Sequence, residues 1–198
     1  MIVTCNSLGI RSAAKAIKNG GIVIFPTDTV YGIGCDPYNA EAVKLIFKLK
    51  QRNETKPLPL LAFSQQEISK VAYFDNLSVK IAKKFWPGPV TLVLKIKDCK
   101  LKQTLKLDDI AVRVPNNRCV LKLLKKCKLI VGTSANISKT PSSPDPKKVV
   151  NSISGYDVFL DGGKIASLGE STVLKVKKGK IEIIRPGIVS QKEFADLF

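Results

Sequence analysis

The stretch IVIFPTDTVYGIG, residues 22–34, joins an apolar run to a polar segment that holds two closely spaced glycines. The apolar residues IVIF predict a buried strand. The threonines, the aspartate and the glycines behind that strand predict a close approach of backbone to a partner, either another segment of the chain or a ligand. On these residues alone, a binding loop and a packed connection explain the stretch equally well.

Predicted helices and strands alternate on both sides of this stretch. Apolar residues at helical spacing and a capping box predict helices at residues 10–21, 39–52, 64–67, 77–85, 118–127 and 146–153. Short apolar or alternating runs predict strands at residues 22–25, 57–63, 90–96, 110–114, 129–132 and 156–160. Residues 171–187 predict an antiparallel hairpin that turns at Lys178 and Gly179. This order predicts an α/β fold around a mixed sheet, with residues 1–198 in a single domain.

The composition limits the class of protein. Apolar residues make up 44% of the 198 residues, which is enough for the core of one soluble domain. The N-terminal residues lack the pattern of a secretory signal, and no apolar run approaches the roughly 18 residues of a membrane helix. We therefore expect a cytoplasmic protein that does not associate with a membrane.

The cysteines give no sign of a structural framework. There are five, at positions 5, 35, 99, 119 and 127. Their odd number and the absence of C-x-x-C spacing argue against both a set of disulfides and a zinc ribbon. We expect reduced, mostly buried thiols and no protein-bound metal.

The charge favours a phosphate-bearing partner and excludes one large class of mechanisms. Thirty-three Lys and Arg residues against sixteen Asp and Glu residues give a formal net charge of +17, which attracts polyanions at long range. The lysines are spread along the whole chain, so a basic surface with no particular partner is the alternative. Histidine is absent, which excludes imidazole as a base, a nucleophile or a metal ligand.

Polar clusters stand where predicted strands end, although the usual nucleotide motifs are missing. Gly162-Gly163-Lys164 lacks the other residues of a P-loop, and Gly32 and Gly34 lack the third glycine of a dinucleotide fingerprint. The clusters lie at residues 26–32, 50–58, 111–115, 132–138, 169–172 and 185–187. Each one alone is typical of a turn or a surface charge. Together they could converge on one cleft, because α/β sheets bind ligands near strand ends.

In sequence order the segments FPTDTVYG, K-x-R…KPL, WPGPVTLVL, AVRVP, TSAN-x-S, G-x-STV and RPG closely resemble the YrdC/TsaC family of L-threonylcarbamoyladenylate synthases. The resemblance runs from about Gly21 to Gly187 and corresponds to the single-domain form. It implies a twisted, open mixed sheet flanked by helices, with a basic concave face. It also implies an enzyme that combines L-threonine, bicarbonate and ATP into threonylcarbamoyl-AMP and releases pyrophosphate.

The resemblance assigns residues to each part of this activity. ATP-binding residues would be Lys50, Arg52, Lys56, Asn136, Ser142, Ser143 and Arg185. Threonine-binding residues would be Thr29, Arg113, Ser134 and Ser171. The catalytic roles would fall to Lys50, Arg52, Ser134 and Asn136. Asp28 either attracts the threonine ammonium group or caps the turn.

These residue types suit the implied chemistry. A carbamate anion must approach the α-phosphate of a nucleotide, so the reaction needs cations and hydrogen-bond donors more than a strong base. Arg113 suits a bidentate contact with the threonine carboxylate. Mg²⁺ would be carried by the nucleotide, because few carboxylates stand in the motifs. A separate transferase complex would pass the threonylcarbamoyl group to the adenosine beside the tRNA anticodon, and weak tRNA or double-stranded RNA binding could accompany catalysis.

Two departures from the family pattern and two other functions need to be considered. Leu61 replaces a histidine common in relatives, and Lys139 replaces a glycine, which costs roughly 1 kcal/mol if that residue has positive φ. The first alternative is a non-catalytic RNA-binding module, which the net charge favours, although the basic residues lack interleaved aromatic residues for base stacking. The second is a carbamoyl-adenylate activity like that of hydrogenase-maturation carbamoyltransferases, which threonine dependence would distinguish.

Overall fold

The strands of the chain form a single mixed sheet in the computed structural model, which describes residues 1–166, 169–177 and 179–197. Their bounds are β1 Ile2–Thr4, β2 Val23–Pro26, β3 Tyr31–Cys35, β4 Leu60–Ala62, β5 Val90–Lys95, β6 Asp109–Arg113, β7 Leu129–Ser134, β8 Val158–Asp161, β9 Thr172–Lys177 and β10 Lys180–Arg185. The order across the sheet is β1-β8-β2-β3-β7-β4-β6-β5-β9-β10. The sheet contains both parallel pairs, such as β4 with β6, and antiparallel pairs, such as β2 with β3, which confirms the predicted mixed sheet.

Each α-helix is preceded by a capping residue whose side chain accepts a backbone N–H group. Their bounds are α1 Ser7–Lys18, α2 Ala40–Lys50, α3 Gln65–Ser69, α4 Asn76–Phe85, α5 Cys99–Leu105, α6 Arg118–Cys127 and α7 Pro146–Ser152, followed by a 3₁₀ helix at Gln191–Leu197. The capping residues are Asn6, Asn39, Ser64, Asp75, Asp98, Asn117 and Asp145. Each cap satisfies a donor that the first helical turn leaves unpaired. None of the described helices is long and apolar enough to cross a membrane.

Strand β2 is apolar throughout because helices cover both faces of the sheet. Val23 and Phe25 pack in the core that contains α1 and α6. Ile24, which points the other way, packs in the larger core on the opposite face. A strand buried on both faces reads as a continuous apolar run, so IVIF predicts this central position correctly.

The loop after β2 is shorter than the polar stretch in the sequence predicts. Only residues 27–30 form the connection, because β3 begins at Tyr31. A Cβ atom added at Gly32 would lie 2.9 Å from Cε2 of Phe25. Gly32 therefore permits close packing of two paired strands, and the stretch is a packed connection as well as a loop.

Several elements differ from the sequence predictions. Strand β1, strand β3, helix α5 and the 3₁₀ helix were not predicted, whereas the predicted strand at 57–63 is reduced to three residues in β4. The terminal hairpin is confirmed by the antiparallel pairing of β9 and β10, with Lys177 opposite Lys180. Its predicted turn residue Lys178 lies outside the described residues.

The expectation of reduced thiols is wrong for two cysteines. Cys5 and Cys119 form a disulfide between residues 114 positions apart, with Cα atoms 6.0 Å apart. Cys5 precedes α1 and Cys119 lies in the first turn of α6, and these helices pack together on one face of the sheet. Cysteine spacing cannot reveal a pair that only the packing of two distant helices brings together. Cys35, Cys99 and Cys127 are free thiols, and only Cys35 among them is fully buried.

Candidate active site

A cleft lies where several strands end, and it encloses a cavity of about 100 Å³. The residues that line it are Thr27, Thr29, Val30, Gly32, Pro59, Leu61, Thr91, Arg113, Gly132, Thr133, Ser134, Glu170, Ser171 and Arg185. Five of the predicted site residues are among them, namely Thr29, Arg113, Ser134, Ser171 and Arg185. The motifs that carry them are far apart in sequence and meet at one place in the fold.

Strand register explains why these residues converge. Ser134 at the end of β7 lies opposite Gly32 in β3. Arg113 at the end of β6 pairs with Leu61 in β4. Ser171 directly precedes β9, whose first residue pairs with the first residue of β5. Each functional residue thus stands at the same edge region because its neighbouring strands are in register there.

Arg113 is the most deeply buried cation of the cavity wall. Its Nη2 donates to Asp28 Oδ1 at 2.6 Å, its Nη1 to Thr29 Oγ1 at 3.1 Å, and its Nε to the carbonyl of Gly88 at 2.9 Å. The side chain of Arg113 is 7% exposed and that of Asp28 is 14% exposed. Burial lowers the pKa of Arg113 and the charge of Asp28 opposes that shift. Asp28 is therefore an ion-pair partner of Arg113.

The loop before β3 is held by its own hydroxyl groups. Thr27 Oγ1 donates to the carbonyl of Val30 at 2.6 Å and accepts the backbone N–H groups of Thr29 and Val30. Thr27 Oγ1 and Thr29 Oγ1 lie 3.0 Å apart. Asn117, the N-cap residue of α6, donates from Nδ2 to the carbonyl of Thr27 at 3.2 Å. These bonds fix the Thr29 hydroxyl beside Arg113 before any ligand arrives.

Ser171 and Arg185 form the other wall of the cleft. Arg185 Nη2 donates to the Ser171 carbonyl at 2.8 Å and to Ser171 Oγ at 3.1 Å. Ser171 Oγ also accepts from Thr91 Oγ1 at 3.0 Å. Arg185 Nη1 pairs with Glu170 Oε2 at 2.6 Å, and both side chains are nearly half exposed. The segment of Gly187 packs so closely against the Ser171 backbone that a Cβ at Gly187 would overlap it.

Lys50 and Asn136 do not line the cavity, but both bond to the carbonyl of Ser134, which does. The Lys50 ammonium group, 1% exposed, donates to the carbonyls of Ser134 and Asn136 and to Asn136 Oδ1. Asn136 Nδ2 donates to the carbonyls of Ile137 and Thr140. Burial lowers the pKa of Lys50 to about 8, and the charge of Arg52 contributes to that shift. In this conformation all three Lys50 donors bond to the chain itself.

The remaining predicted residues lie around the cleft but do not line the cavity. Arg52 Nε donates to the Lys56 carbonyl at 3.0 Å, and the pKa of Arg52 is lowered by burial and by the charge of Arg185. The Lys56 side chain is exposed. Ser142 Oγ donates to Glu170 Oε1 at 3.2 Å. Ser143 Oγ instead accepts the backbone N–H of Asp145, inside its own loop.

The two departures from the family pattern have clear structural positions. Leu61, where the family resemblance implies a histidine, is buried in β4 and lines the cavity, so it contributes an apolar wall. Lys139 has φ of 71°, in the left-handed region that glycine adopts at less cost. The condition for a cost of roughly 1 kcal/mol at Lys139 is therefore met.

Three features of the site were not predicted from the sequence. Thr91 and Glu170 were not singled out, although both lie inside quoted motifs. The pairing of Asp28 with Arg113 joins residues 85 positions apart. The sequence gives no sign of this ion pair, because the two residues come together only where the loop after β2 meets the end of β6.

The fold and the cleft define an α/β protein with an open mixed sheet and, where several strands end, a cleft lined in part by Arg113 and Arg185. The chain belongs to the Sua5/YciO/YrdC family, since a model of that family, described as telomere recombination, matches residues 15–187. This membership confirms the resemblance found in the sequence.

Relatives and solved structures agree with the assignment. A putative threonylcarbamoyl-AMP synthase of Methanocaldococcus jannaschii is 36% identical over 185 residues, which cover 91% of this chain and 86% of the relative. A threonylcarbamoyl-AMP synthase of Pyrococcus abyssi is 37% identical over 183 residues, which cover 90% of this chain and 54% of the relative. The crystal structure of P. abyssi Sua5 complexed with L-threonine matches with a TM-score of 0.91 at 33% identity, over 100% of this chain and 60% of that chain. The chain thus spans little more than half the length of these Pyrococcus proteins.

Proposed function

We propose that the protein synthesises threonylcarbamoyl-AMP from L-threonine, bicarbonate and ATP and releases pyrophosphate, the first step of threonylcarbamoyladenosine modification of tRNA. The observation that carries the proposal is the buried Arg113 with Thr29, in a small cavity next to the more exposed Arg185. Such a cavity suits a small carboxylate beside a larger polyanion. The names of the relatives and the threonine complex of P. abyssi Sua5 support the same substrates.

Threonine would occupy the cavity between Arg113 and Ser171. A guanidinium group has five N–H donors, and the described residues accept three of those of Arg113. One N–H on each terminal nitrogen can then meet the threonine carboxylate. The hydroxyl groups of Thr29, Ser134 and Ser171 line the same space and offer donors and acceptors for the rest of the amino acid.

ATP would bind along the more exposed side of the cleft. Arg185 and Arg52 are close enough for the charge of Arg185 to lower the pKa of Arg52, and the exposed Lys56 lies in the same loop as Arg52. These cations can neutralise the triphosphate. Lys50 and Asn136 would act mainly by holding the turn after Ser134 in place, since Lys50 donates to the carbonyls of Ser134 and Asn136 and the Asn136 amide donates to the carbonyls of Ile137 and Thr140. Ser142 and Ser143 belong to the adjacent loop and complete the proposed nucleotide site.

The chemistry needs positioning and charge more than a strong base. The threonine amine, after loss of a proton to solvent, adds to the carbon of bicarbonate and releases water, which leaves a carbamate anion. A carbamate oxygen then attacks the α-phosphorus of ATP, the bond to the bridging oxygen breaks, and pyrophosphate leaves. Arg113 orients the attacking molecule, while Arg185 and Arg52 offset the charge of the phosphates.

Mg²⁺ would accompany the nucleotide in this proposal. The carboxylates at the cleft, Asp28 and Glu170, each pair with an arginine. The described residues contain no cluster of carboxylate, cysteine or histidine ligands for a metal ion. The ion would therefore be held by phosphate oxygens and water, as is usual for Mg²⁺ bound with nucleotides, and would supply further charge neutralisation there.

The wider setting belongs to the same proposal. Residues 1–198 would act as one catalytic domain, which the single continuous sheet supports. The net charge of +17 supports weak tRNA or double-stranded RNA binding, and a separate transferase complex would use the product. A cytoplasmic location fits these partners. The Cys5–Cys119 disulfide is unusual there, although intracellular proteins of hyperthermophiles often contain disulfides.

The test is pyrophosphate release from ATP by the purified protein, with and without L-threonine and bicarbonate. We expect release that requires both, with little release when serine or glycine replaces threonine. Release without threonine would instead favour a carbamoyl-adenylate activity. No release by a protein that still binds RNA would overturn the synthase and favour a non-catalytic RNA-binding module.

A further inference from the structure

The cleft contains several cations, and each of its proposed substrates is an anion or carries an anionic group, so the substrates could compete for the same cation. Arg185 lies near enough to Arg113 and to Arg52 that its charge lowers the pKa of both. A triphosphate is attracted more strongly to any arginine than a single carboxylate is. If threonine is to bind at Arg113, as the proposed function requires, the phosphates must be kept away from that residue.

The cations differ in the carboxylates that accompany them. Arg113 pairs with Asp28 at 2.6 Å, and both side chains are largely buried. Arg185 pairs with Glu170 at the same distance, but these side chains are 48% and 41% exposed. Arg52 donates to the carbonyls of Lys56 and Pro57, and the described part of the chain gives it no carboxylate partner. Charge is therefore neutralised most firmly at Arg113.

We propose that Asp28 is a specificity-determining residue, which reserves Arg113 for the carboxylate of an amino acid and excludes phosphate. A phosphate group at Arg113 would place two or more negative charges beside a buried carboxylate, where repulsion is weakly screened. An amino acid brings an ammonium group with its carboxylate and has no net charge, so Asp28 repels it far less. Discrimination between two ligands by a built-in repulsive group is a general route to specificity.

The geometry leaves Arg113 able to bind while Asp28 stays in place. Asp28 occupies one N–H of Nη2, and Thr29 occupies one N–H of Nη1. One N–H on each of these nitrogens is not taken by any described residue. Asp28 therefore neutralises the guanidinium charge without filling the donors that a carboxylate needs. Its role differs from that of a residue that merely stabilises the fold.

The experiment measures threonine binding by calorimetry without nucleotide, with inorganic tripolyphosphate as the competitor. For the wild-type protein we expect tripolyphosphate to leave the threonine Kd nearly unchanged. For Asp28→Asn, which keeps the size and one acceptor oxygen, we expect the competitor to raise the apparent threonine Kd about tenfold or more, which is about 1.4 kcal/mol. Asp28→Glu should restore much of the discrimination. Asp108→Asn is the matched control, because it removes one carboxylate from an exposed pair with Lys102.

The outcomes separate this inference from the function on which it rests. If the wild-type protein does not bind threonine at all, both proposals are overturned. If the wild type binds threonine and Asp28→Asn shows the same competition as the wild type, the inference about Asp28 alone is wrong. In Asp28→Ser we likewise expect tripolyphosphate to raise the apparent threonine Kd. Either variant tests the role of Asp28, provided that it keeps the thermal unfolding transition of the wild type.

Discussion

The two ends of the cleft each hold an arginine paired with a carboxylate, and the two pairs differ in burial. The Arg113–Asp28 and Arg185–Glu170 pairs have the same 2.6 Å separation. In the first pair the side chains are 7% and 14% exposed, and in the second they are 48% and 41% exposed. The same kind of pair, a guanidinium with a carboxylate, is thus placed in two different dielectric environments.

The difference suits two kinds of ligand. Removal of one partner of a buried pair costs about 3–5 kcal/mol because a charge is left without compensation, whereas an exposed pair contributes about 0–1 kcal/mol. Arg113 is therefore held in one geometry, as recognition of a small carboxylate requires. Arg185 can exchange Glu170 for another anion at little cost, as binding of a flexible triphosphate requires. The proposed threonine end is preorganised and the proposed nucleotide end is adaptable.

Arg113→Lys tests the preorganised end and should have the largest effect. A lysine can reach one partner, but it cannot bond to Asp28, Thr29 and the Gly88 carbonyl while still offering two donors to a carboxylate. We expect threonine affinity to fall about 100-fold, measured by calorimetry, with little change in the affinity for a non-hydrolysable ATP analogue. An equal loss of both affinities would contradict the division of the cleft into two ends.

Arg52→Ala tests the adaptable end. Loss of a cation at the proposed triphosphate site should raise the KM for ATP about tenfold and leave the KM for threonine nearly unchanged. The readout is pyrophosphate release with the second substrate saturating. Lys18→Ala is the matched control, because Lys18 is an exposed cation in the last turn of α1. Equal increases in both KM values would show that Arg52 does not belong to the nucleotide end alone.

Ser171→Ala tests the boundary between the ends. Ser171 Oγ accepts from both Thr91 and Arg185, so the hydroxyl joins the proposed threonine end of the cleft to the proposed nucleotide end. Arg185 keeps its bond to the Ser171 carbonyl in this variant. We therefore expect threonine affinity to fall about fivefold, or about 1 kcal/mol, with a smaller change for ATP. A Ser171→Thr variant retains the hydroxyl and should recover part of the affinity, while unchanged threonine affinity in Ser171→Ala would remove Ser171 from the threonine site.

Local patterns made much of the fold and part of the site predictable. The Asn39 cap and the apolar residues behind it fix α2, and the continuous apolar run IVIF predicts a strand buried on both faces. The motif residues Thr29, Arg113 and Ser134 meet at the cleft because they stand at predicted strand ends. These features depend on neighbours within a few positions of the chain.

The missed features depend on contacts between distant residues. Strand β3 has glycine at every second position, and glycine has low strand propensity. The strand is accommodated because Gly32 lets Phe25 of β2 pack closely against it. The Cys5–Cys119 disulfide and the Asp28–Arg113 pair join residues 114 and 85 positions apart. The burial that distinguishes the two ion pairs also comes from the assembled sheet, since each pair is an arginine with a carboxylate and the residue types alone do not show which pair is buried.

The smallest expected effect is proton uptake by Lys50 when a nucleotide binds, which tests whether the Lys50 charge interacts with the bound phosphates. Burial lowers its pKa to about 8, so near pH 8 about half of the Lys50 side chains are neutral. A triphosphate bound nearby favours the charged form and raises this pKa, so binding should take up a fraction of a proton at pH 8. The uptake is measured by titrating a non-hydrolysable ATP analogue in buffers of different ionisation enthalpy.

Two controls follow from the charge of Lys50. Below pH 7 Lys50 is already charged, so the proton uptake should vanish. In Arg52→Ala the loss of a neighbouring positive charge should move the pH of maximal proton uptake to a higher value. If no proton is taken up at any pH between 7 and 9, Lys50 does not interact with the phosphates, and its role is confined to holding the turn at Ser134.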